Sequence, residues 1–298
     1  MKSKMSVLFS ASVALLLMFS SCKKENSATS ASVTDEEAQV MSSENAEADG
    51  YVEDADEMGF SMNSDVETIT NSESKVIDAT PGQLGWRIDL FTDLQFKIGL
   101  CTTIEASSYD SVYPKTITVN YGSGCICKDG KFRKGSISFE FSAPLRKPGS
   151  VLKITFNDYF VNRVSVKGTR TITNLSSNGV VKFSTSIEGG SLTWPSGRTI
   201  TYESSKTFTQ TVGMDTRTVR DDVYSIDIYT KTVYANGKTV IKTSESPIIK
   251  PIACDWRVKG VLKIQINDRT LFLDYGNGDC DNKAVLSWGT NSKEITLP

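Results

Sequence analysis

The feature that most constrains the fold is a period of two in the apolar residues, which dominates the chain from about residue 115 onward. In "SISFEFS" the apolar residues Ile137, Phe139 and Phe141 alternate with polar ones, and "VLKITFND" at 151–158 repeats the pattern. Such alternation is typical of strands with one buried face, and no amphipathic helix pattern follows residue 100. The body of the chain is therefore predicted to be β structure.

Turn signals separate the alternating segments at intervals of eight to fifteen residues. They are Asp129-Gly130, Lys147-Pro148-Gly149, Gly189-Gly190, Pro195-Ser196-Gly197, Asn236-Gly237 and Asn267-Asp268. Strands joined by short turns pair antiparallel, and a sheet of roughly a dozen strands must cover its apolar face. The predicted fold class is all-β and mainly antiparallel: a meander that closes as a barrel, half-barrel or sandwich, with a possible short N-terminal helix.

The N-terminus carries an export signal. Lys2 and Lys4 precede an apolar run over 5–19, which has signal-peptide length and is shorter than the roughly 20 residues that span a bilayer. The following Phe19-Ser20-Ser21-Cys22 resembles a lipobox, which implies cleavage before Cys22 and lipidation of its side chain. The alternative is an ordinary secretory signal with an incidental Cys.

The residues after the predicted anchor bear on location. Lys23-Lys24-Glu25 resembles the signal that exports some Gram-negative lipoproteins to the cell surface, although only one acidic residue is present. We therefore predict a cell-envelope protein that is lipid-anchored to the outer membrane through Cys22. Display on the cell surface and display on the periplasmic face are both compatible with this sequence.

Charge divides the chain at about residue 80. Residues 23–80 carry fifteen Asp and Glu against three Lys, a net −12, whereas 81–298 carry twenty against twenty-eight Lys and Arg, a net +8. The sequence thus predicts a signal peptide over 1–21, a lipidated Cys with an acidic flexible tether over 22–80, and a single β-rich domain over 81–298.

One stretch of the tether favours order. Thr34-Asp35-Glu36-Glu37 matches a capping box. The apolar residues near helical spacing are Ala48, Tyr51, Val52, Ala55, Met58 and Met62. A short amphipathic helix within 34–62 is therefore possible, either lying against the body or frayed.

The basic excess of the body would suit a polyanion such as nucleic acid, a charged glycan or lipid head groups. The Lys and Arg residues are dispersed singly along alternating strands, however, and no run of them forms a patch. We therefore expect a solvated basic face, partly balanced by the acidic tether, and no nucleic-acid partner.

The body contains five cysteines, and an exported chain meets a compartment in which disulfides form. Cys254 and Cys280 are equidistant from Asn267, so a hairpin that turns there brings them to nearly the same level. The opposed pairs in such a hairpin are Ile264 with Leu271 and Leu262 with Leu273. A bulge near Gly260 would correct the remaining one-residue slip between the cysteines.

At the front of the body, Cys101 and Cys125 flank Tyr113-Pro114 symmetrically, and Cys127 is only slightly worse placed. A disulfide from Cys101 to Cys125 or to Cys127 is predicted, which leaves one buried or exchangeable thiol. Cys-x-Cys also suggests a redox pair or a soft-metal site, but the chain has no His to complete a zinc site. We predict no metal and no cofactor.

A Tyr-Gly-x-Gly motif occurs twice, in "VNYGSGCICKDG" at 119–130 and in "LDYGNGDCDN" at 273–282. The possible Ca²⁺ ligands of the second copy are Asp274, Asn277, Asp279 and Asp281. The first copy keeps the tyrosine, the glycines and a cysteine but loses most carboxylates, which favours a structural device with Tyr275 facing the core. Together, the lipobox and this doubled motif resemble a set of Gram-negative envelope lipoproteins, and that resemblance implies no activity.

The absence of His excludes Ser-His-Asp and Cys-His nucleophiles. Paired carboxylates for glycoside hydrolysis need no local motif. Strand candidates for such a pair are Glu140, Glu188, Glu203 and Asp227, and the tryptophans that would stack on sugars are Trp194, Trp256 and Trp288. Solvated carboxylates and core tryptophans are the simpler interpretation.

These observations favour a non-enzymatic module that binds a glycan or another envelope protein. The alternative is a surface polysaccharide hydrolase that uses paired carboxylates. A third hypothesis is a carrier with an apolar groove lined by Phe139, Phe156 and Leu192.

Overall fold

The computed structural model describes residues 32–69, 76–78, 99–107, 113–215 and 221–297. The predicted signal peptide, Cys22 and Lys23-Lys24-Glu25 lie outside these residues. One helix, α1 (Asp35–Ile69), precedes the strands. In chain order the strands are β1 (Val76–Asp78), β2 (Thr103–Ala106), β3 (Lys115–Asn120), β4 (Cys125–Ile126), β5 (Phe132–Phe141), β6 (Val151–Val161), β7 (Val164–Asn174), β8 (Lys182–Thr193), β9 (Thr199–Val212), β10 (Val223–Tyr234), β11 (Thr239–Ser244), β12 (Ile248–Pro251), β13 (Lys259–Ile266), β14 (Arg269–Asn277), β15 (Lys283–Trp288) and β16 (Asn291–Thr296).

All sixteen described strands belong to one antiparallel sheet, which confirms the predicted fold class. Their order follows the chain from β1 to β16, with β4 set beside β5. β11 and β12 form one interrupted strand, because both pair with β10 on one side and β13 on the other. The described strands therefore form a long meander whose end strands are β1 and β16.

The β13–β14 hairpin has the predicted register. Ile264 lies opposite Leu271 and Leu262 lies opposite Leu273. The pairing shifts between Lys259 and Val261, so the bulge at Gly260 is confirmed. A Cβ at this glycine would lie 2.3 Å from the Pro247 carbonyl oxygen, in the interruption between β11 and β12, which is why the position requires glycine.

One predicted turn is wrong. Gly189-Gly190 lies within β8 and forms a bulge. Asn157-Asp158, which ends the alternating segment 151–158, also lies within a strand, β6, where Asp158 has a φ of 44°. The β6–β7 hairpin turns instead at Asn162-Arg163, both with positive φ. Short polar and glycine dipeptides serve bulges as well as turns, so their presence alone does not end a strand.

Bulges on consecutive strands explain how the sheet curls. The register shifts at Lys134/Ser136 on β5, Thr155/Phe160 on β6, Lys167/Thr169 on β7 and Ile187/Gly190 on β8. A bulge bends its strand and increases the local twist. Four bulges on adjacent strands curve the sheet. The sheet therefore has a concave inner face, which α1 covers, and a convex outer face.

Contacts of α1 show that the curl is large. The neighbouring residues Glu53 and Asp54 bind Arg257, just before β13, and Arg133 on β5. These strands are seven positions apart in the sheet, which would separate them by roughly 34 Å if the sheet were flat. Two adjacent side chains cannot bridge that distance, so the sheet must wrap around the helix.

The helix begins as its sequence predicts but is longer. The Thr34 hydroxyl accepts the Glu37 amide at 3.2 Å, as in a capping box. The helix then runs for 35 residues to Ile69, beyond the predicted limit at residue 62. This segment contributes a buried stripe to the interior.

Two apolar clusters fill the space between α1 and the sheet. The first joins Ala48, Val52, Ala55, Met58 and Met62 to residues from β2 to β9. The second joins Val33, Ala38 and Met41 to residues from β10 to β15. Within the part of the chain that the structure describes, no helix is both long and apolar enough to cross a membrane.

Candidate functional site

The inner face of the sheet and the connections at its ends carry a row of cations that α1 neutralises. From the start of the helix to its end, the ion pairs are Asp35 with Arg269, Glu37 with Lys238, Glu44 with Arg198, Asp49 with Lys242, Glu53 with Lys206 and Arg257, Asp54 with Arg133 and Lys131, and Asp56 with Arg170. We call this row the inner charge array. In this array, individual carboxylates of the acidic segment pair with individual cations of the basic body.

The most buried pair of the array joins Asp54 to Arg133, whose side chain is fully buried. Arg133 Nη2 donates to both Asp54 oxygens at 2.9 Å and to Asp129 Oδ2 at 2.6 Å. Burial disfavours the guanidinium, but Asp129 and Asp54 overcome this and raise the pKa of Arg133 above its ordinary value. The guanidinium therefore stays charged inside the protein.

The centre of the array is held by Glu53. Arg257 Nη2 donates to Glu53 Oε1 at 2.6 Å, and the Lys206 ammonium binds the same oxygen. Burial alone raises the pKa of Glu53, but the charges of Arg257 and Lys206 outweigh it and lower the pKa below its ordinary value. Glu53 is therefore ionised at neutral pH.

Asp56 and Lys242 lie on either side of Glu53. The Asp56 carboxylate binds both Nε and Nη2 of Arg170, and burial still raises its pKa. Lys242 Nζ lies 2.5 Å from Asp49 Oδ2, and burial lowers its pKa against the pull of that carboxylate. Both pKa shifts favour the neutral form of the side chain, because burial at the centre of the array disfavours charge.

Neutral polar groups anchor the first half of α1. Asn45 Oδ1 accepts the Thr232 hydroxyl at 2.6 Å, and its Nδ2 donates to the Tyr234 hydroxyl at 2.9 Å. The Tyr202 hydroxyl donates to Asp49 Oδ1 at 2.6 Å. These bonds fix the rotation of the helix, because an apolar stripe alone would tolerate small slips.

An open cleft of about 550 Å³ lies where α1 begins. Its walls include Asp35, the β13–β14 turn with Asp268 and Arg269, and the β15–β16 turn with Asn291. Half-buried Trp288 forms part of the lining. We call this the Trp288 cleft; it combines one aromatic side chain with carboxylate, guanidinium and amide groups.

The other two predicted tryptophans are also half-buried, but neither lines the Trp288 cleft. Trp194 stacks on the guanidinium of Arg198, 4.2 Å from the ring centre, and Arg198 in turn binds Glu44. Trp256 lies in the connection between β12 and β13. Trp194 thus supports the inner charge array rather than presenting a free ring face.

The predicted hydrolase carboxylates lie apart from the array. Glu140, Glu188, Glu203 and Asp227 are all exposed on the outer face. Glu140 faces Lys153 across the β5–β6 pair, and Glu203 faces Lys231 across the β9–β10 pair. Glu188 and Asp227 face Thr169 and Thr207, so the four carboxylates are separate surface positions on the sheet.

The predicted apolar groove is filled by the chain itself. Phe139 and Leu192 are buried, and Phe156 packs at the edge of the same cluster. A Cβ on Gly59 of α1 would lie 2.8 Å from Leu152 Cδ2 and 3.7 Å from Phe139 Cδ1. The helix therefore occupies the space that a carried ligand would need.

The Tyr-Gly-x-Gly motifs act as turn devices. In the second copy, Asp274 accepts the Gly276 amide at 2.9 Å, Asn277 the Asp279 amide at 3.3 Å, and Asp281 the Lys283 amide at 2.9 Å. In the first copy, Asn120 accepts the Gly122 amide at 2.9 Å. The oxygen donors thus cap backbone amides two residues ahead. Tyr275 is buried with Leu271 and Leu273, as predicted.

The described residues contain no group of three Cys, Asp or Glu arranged to hold a metal ion. The cysteines instead form two bonded pairs, Cys101 with Cys125 and Cys254 with Cys280, over sequence separations of 24 and 26 residues. Cys127 is free and buried, and burial raises the pKa of its thiol. The choice that the sequence left open for Cys101 thus falls on Cys125.

The inner charge array is the feature that sequence reasoning missed. Its signal was present in the strand phase: Arg170 alternates with Ile172, and Lys206 with Tyr202 and Ser204, on the buried face. No protein-family model matches this chain, and neither the curated proteins nor the solved structures contain a match to it.

Proposed function

We propose that the protein is a lipid-anchored envelope protein whose β module binds a glycan without cleaving it. The observation that carries the glycan assignment is the Trp288 cleft. An aromatic face beside carboxylate, amide and guanidinium groups is the chemistry that binds a sugar ring, which has apolar faces and a polar rim. The cleft is open, so an oligosaccharide can enter from the side.

The charge of the Trp288 cleft restricts the class of glycan that it can bind. Asp35 and Asp268 outnumber Arg269, and Arg269 is already engaged by Asp35 at 3.1 Å. A neutral saccharide fits this balance better than a sulfated or uronic one. Of the two carboxylates in the cleft, Asp35 is already paired with Arg269, so the cleft does not offer two unpaired carboxyl groups to a substrate, which favours binding over hydrolysis.

The anchor supports the same proposal. Eleven Cα-to-Cα steps lead along the chain from Cys22 to Val33, and they can span at most roughly 40 Å. Val33 accepts a hydrogen bond from Arg269 of the cleft at 2.8 Å. A lipidated Cys22 would thus hold the cleft close to the membrane, within reach of envelope glycans.

A glycan array tests the binding, with the chain over 23–298, which lacks the signal peptide and Cys22, as the probe so that α1 is retained. We expect capture of neutral oligosaccharides, and Trp288→Ala to weaken it at least tenfold. Trp256→Ala is the matched control, because this tryptophan is also half-buried but lies outside the cleft. Binding that is unchanged in Trp288→Ala, or capture of an envelope protein alone, would contradict the proposal.

Fractionation tests the anchor separately. The wild-type chain should sediment with the outer membrane and incorporate labelled fatty acid. Cys22→Ser should do neither. A Cys22→Ser protein that still takes up the label would exclude lipidation at this residue.

A further inference from the structure

The floor of the inner face, behind α1, is lined by small polar residues. The helix packs most closely on β6, β7, β11 and β13, which lie on either side of β8–β10. Between those flanks, the floor presents Thr185 on β8, Ser204 on β9 and Thr230 on β10, which are 1, 6 and 0% exposed. We call the region between α1 and this floor the inner chamber.

Four polar atoms of the chamber are buried and have no hydrogen-bond partner among the described residues: Thr185 Oγ1, Ser204 Oγ, Thr230 Oγ1 and Arg170 Nη1. Ser204 and Thr230 lie directly opposite each other, and Ile187 connects Ser204 to Arg170 across the next two strands. The four atoms therefore belong to one patch. Each buried polar atom without a partner costs about 1–3 kcal/mol, so a group of them points to a bound species.

The charge of the chamber indicates what that species is. The cations of the floor are the most buried charges around it: the side chains of Arg170, Lys206 and Lys242 are 1, 2 and 3% exposed. Their carboxylate partners on α1 are less buried, since Asp56, Asp49 and Glu53 are 7, 13 and 29% exposed. Positive charge is therefore concentrated on the floor, where an anion would offset it and water would not.

We propose that the inner chamber binds one small monovalent inorganic anion of the size of chloride. The Ser204 and Thr230 hydroxyls and Arg170 Nη1 donate to it, and Lys206 and Lys242 lie close enough to balance its charge. The site lies on the opposite side of α1 from solvent, so the anion acts as an internal part of the fold. It is independent of the glycan cleft.

Thermal unfolding of the chain over 23–298 tests the site, with chloride replacing gluconate at constant ionic strength. Gluconate is a far larger anion than chloride and serves as the inert counter-ion. We expect the Tm to rise by about 3 °C for each tenfold increase of chloride above its Kd. Thr230→Val keeps the side-chain shape and should abolish this rise. The control is Thr201→Val, on the outer face of β9, which should retain it.

Bromide-soaked crystals of the same chain provide a readout that does not depend on any variant folding. An anomalous peak within hydrogen-bonding reach of Ser204 Oγ and Thr230 Oγ1 would support the site. A chamber that contains only water, or a Tm that responds equally to chloride and gluconate, would overturn it.

Discussion

The two faces of the sheet use the same residue types in opposite ways. On the outer face, cations and carboxylates such as Lys231 and Glu203 lie across strands from each other, and Glu203 is exposed to water. On the inner face, cations such as Arg170 and Lys206 are buried, and their partners come from α1. Exposed pairs contribute little to stability, whereas a buried charge must keep its partner. The comparison teaches that the acidic segment before the sheet is required by the sheet.

The largest difference between the two faces should appear when one carboxylate is removed from each of them. Asp56→Ala leaves Arg170 buried without its bidentate partner and should lower the free energy of unfolding by about 3–5 kcal/mol. Glu203→Ala should change it by less than about 0.5 kcal/mol. Urea titration of both variants measures the difference, and equal losses would show that the two faces do not differ.

A smaller difference between the two faces should appear in how the free energy of unfolding depends on pH. Because the folded-state pKa of Glu53 lies below its ordinary 4.5, its stabilisation is present above that value and is lost as the pH falls through the folded pKa. The raised pKa of Asp56 works in the opposite direction, since protonation there favours the folded state.

We therefore expect the free energy of unfolding to fall by about 2 kcal/mol through Glu53 between about pH 5 and about pH 2. In Glu53→Gln this part of the fall should disappear, whereas Glu203→Gln should keep it. Denaturant unfolding at a series of pH values provides the measurement. Identical acid profiles for the wild type and Glu53→Gln would refute the role given to Glu53.

The smallest effect compares the two sides of α1. Gly50 is exposed, with open space where a Cβ would be, so Gly50→Ala should stabilise the protein by up to about 1 kcal/mol through helix propensity. Gly59 lies against Leu152, and Gly59→Ala should destabilise by about 1 kcal/mol because that side chain must shift. Thermal melts of the two variants should move in opposite directions. Stabilisation by both would mean that α1 does not pack on the sheet at Gly59.

Local patterns predicted much of this fold. Alternation identified the antiparallel sheet, and the symmetry of Cys254 and Cys280 about Asn267 led to the register and bulge of β13–β14. Glycine pairs misled, because Gly189-Gly190 has the composition of a turn but its neighbours continue the strand. Whether a glycine pair forms a turn or a bulge depends on the adjacent strand, where Gly168 approaches Gly190. The sequence of one segment alone does not contain this information.

The inner charge array lay beyond this reasoning for a physical reason. A Lys in phase with buried residues, such as Lys206, has the same sequence signature as one whose stem is buried and whose head reaches water. Its true environment depends on Glu53, which lies 153 residues earlier in the chain. The net charges of the two segments were complementary, but they did not say which residues meet or that α1 enters the sheet.

Hydrogen exchange of the chain over 23–298 tests most directly whether α1 is an integral part of the module. We expect the α1 amides from Ala38 to Met62 to exchange as slowly as those of β8–β10, because both become exposed only when the sheet opens. Exchange of α1 at the rate of an unstructured segment, while β8–β10 stay protected, would contradict it.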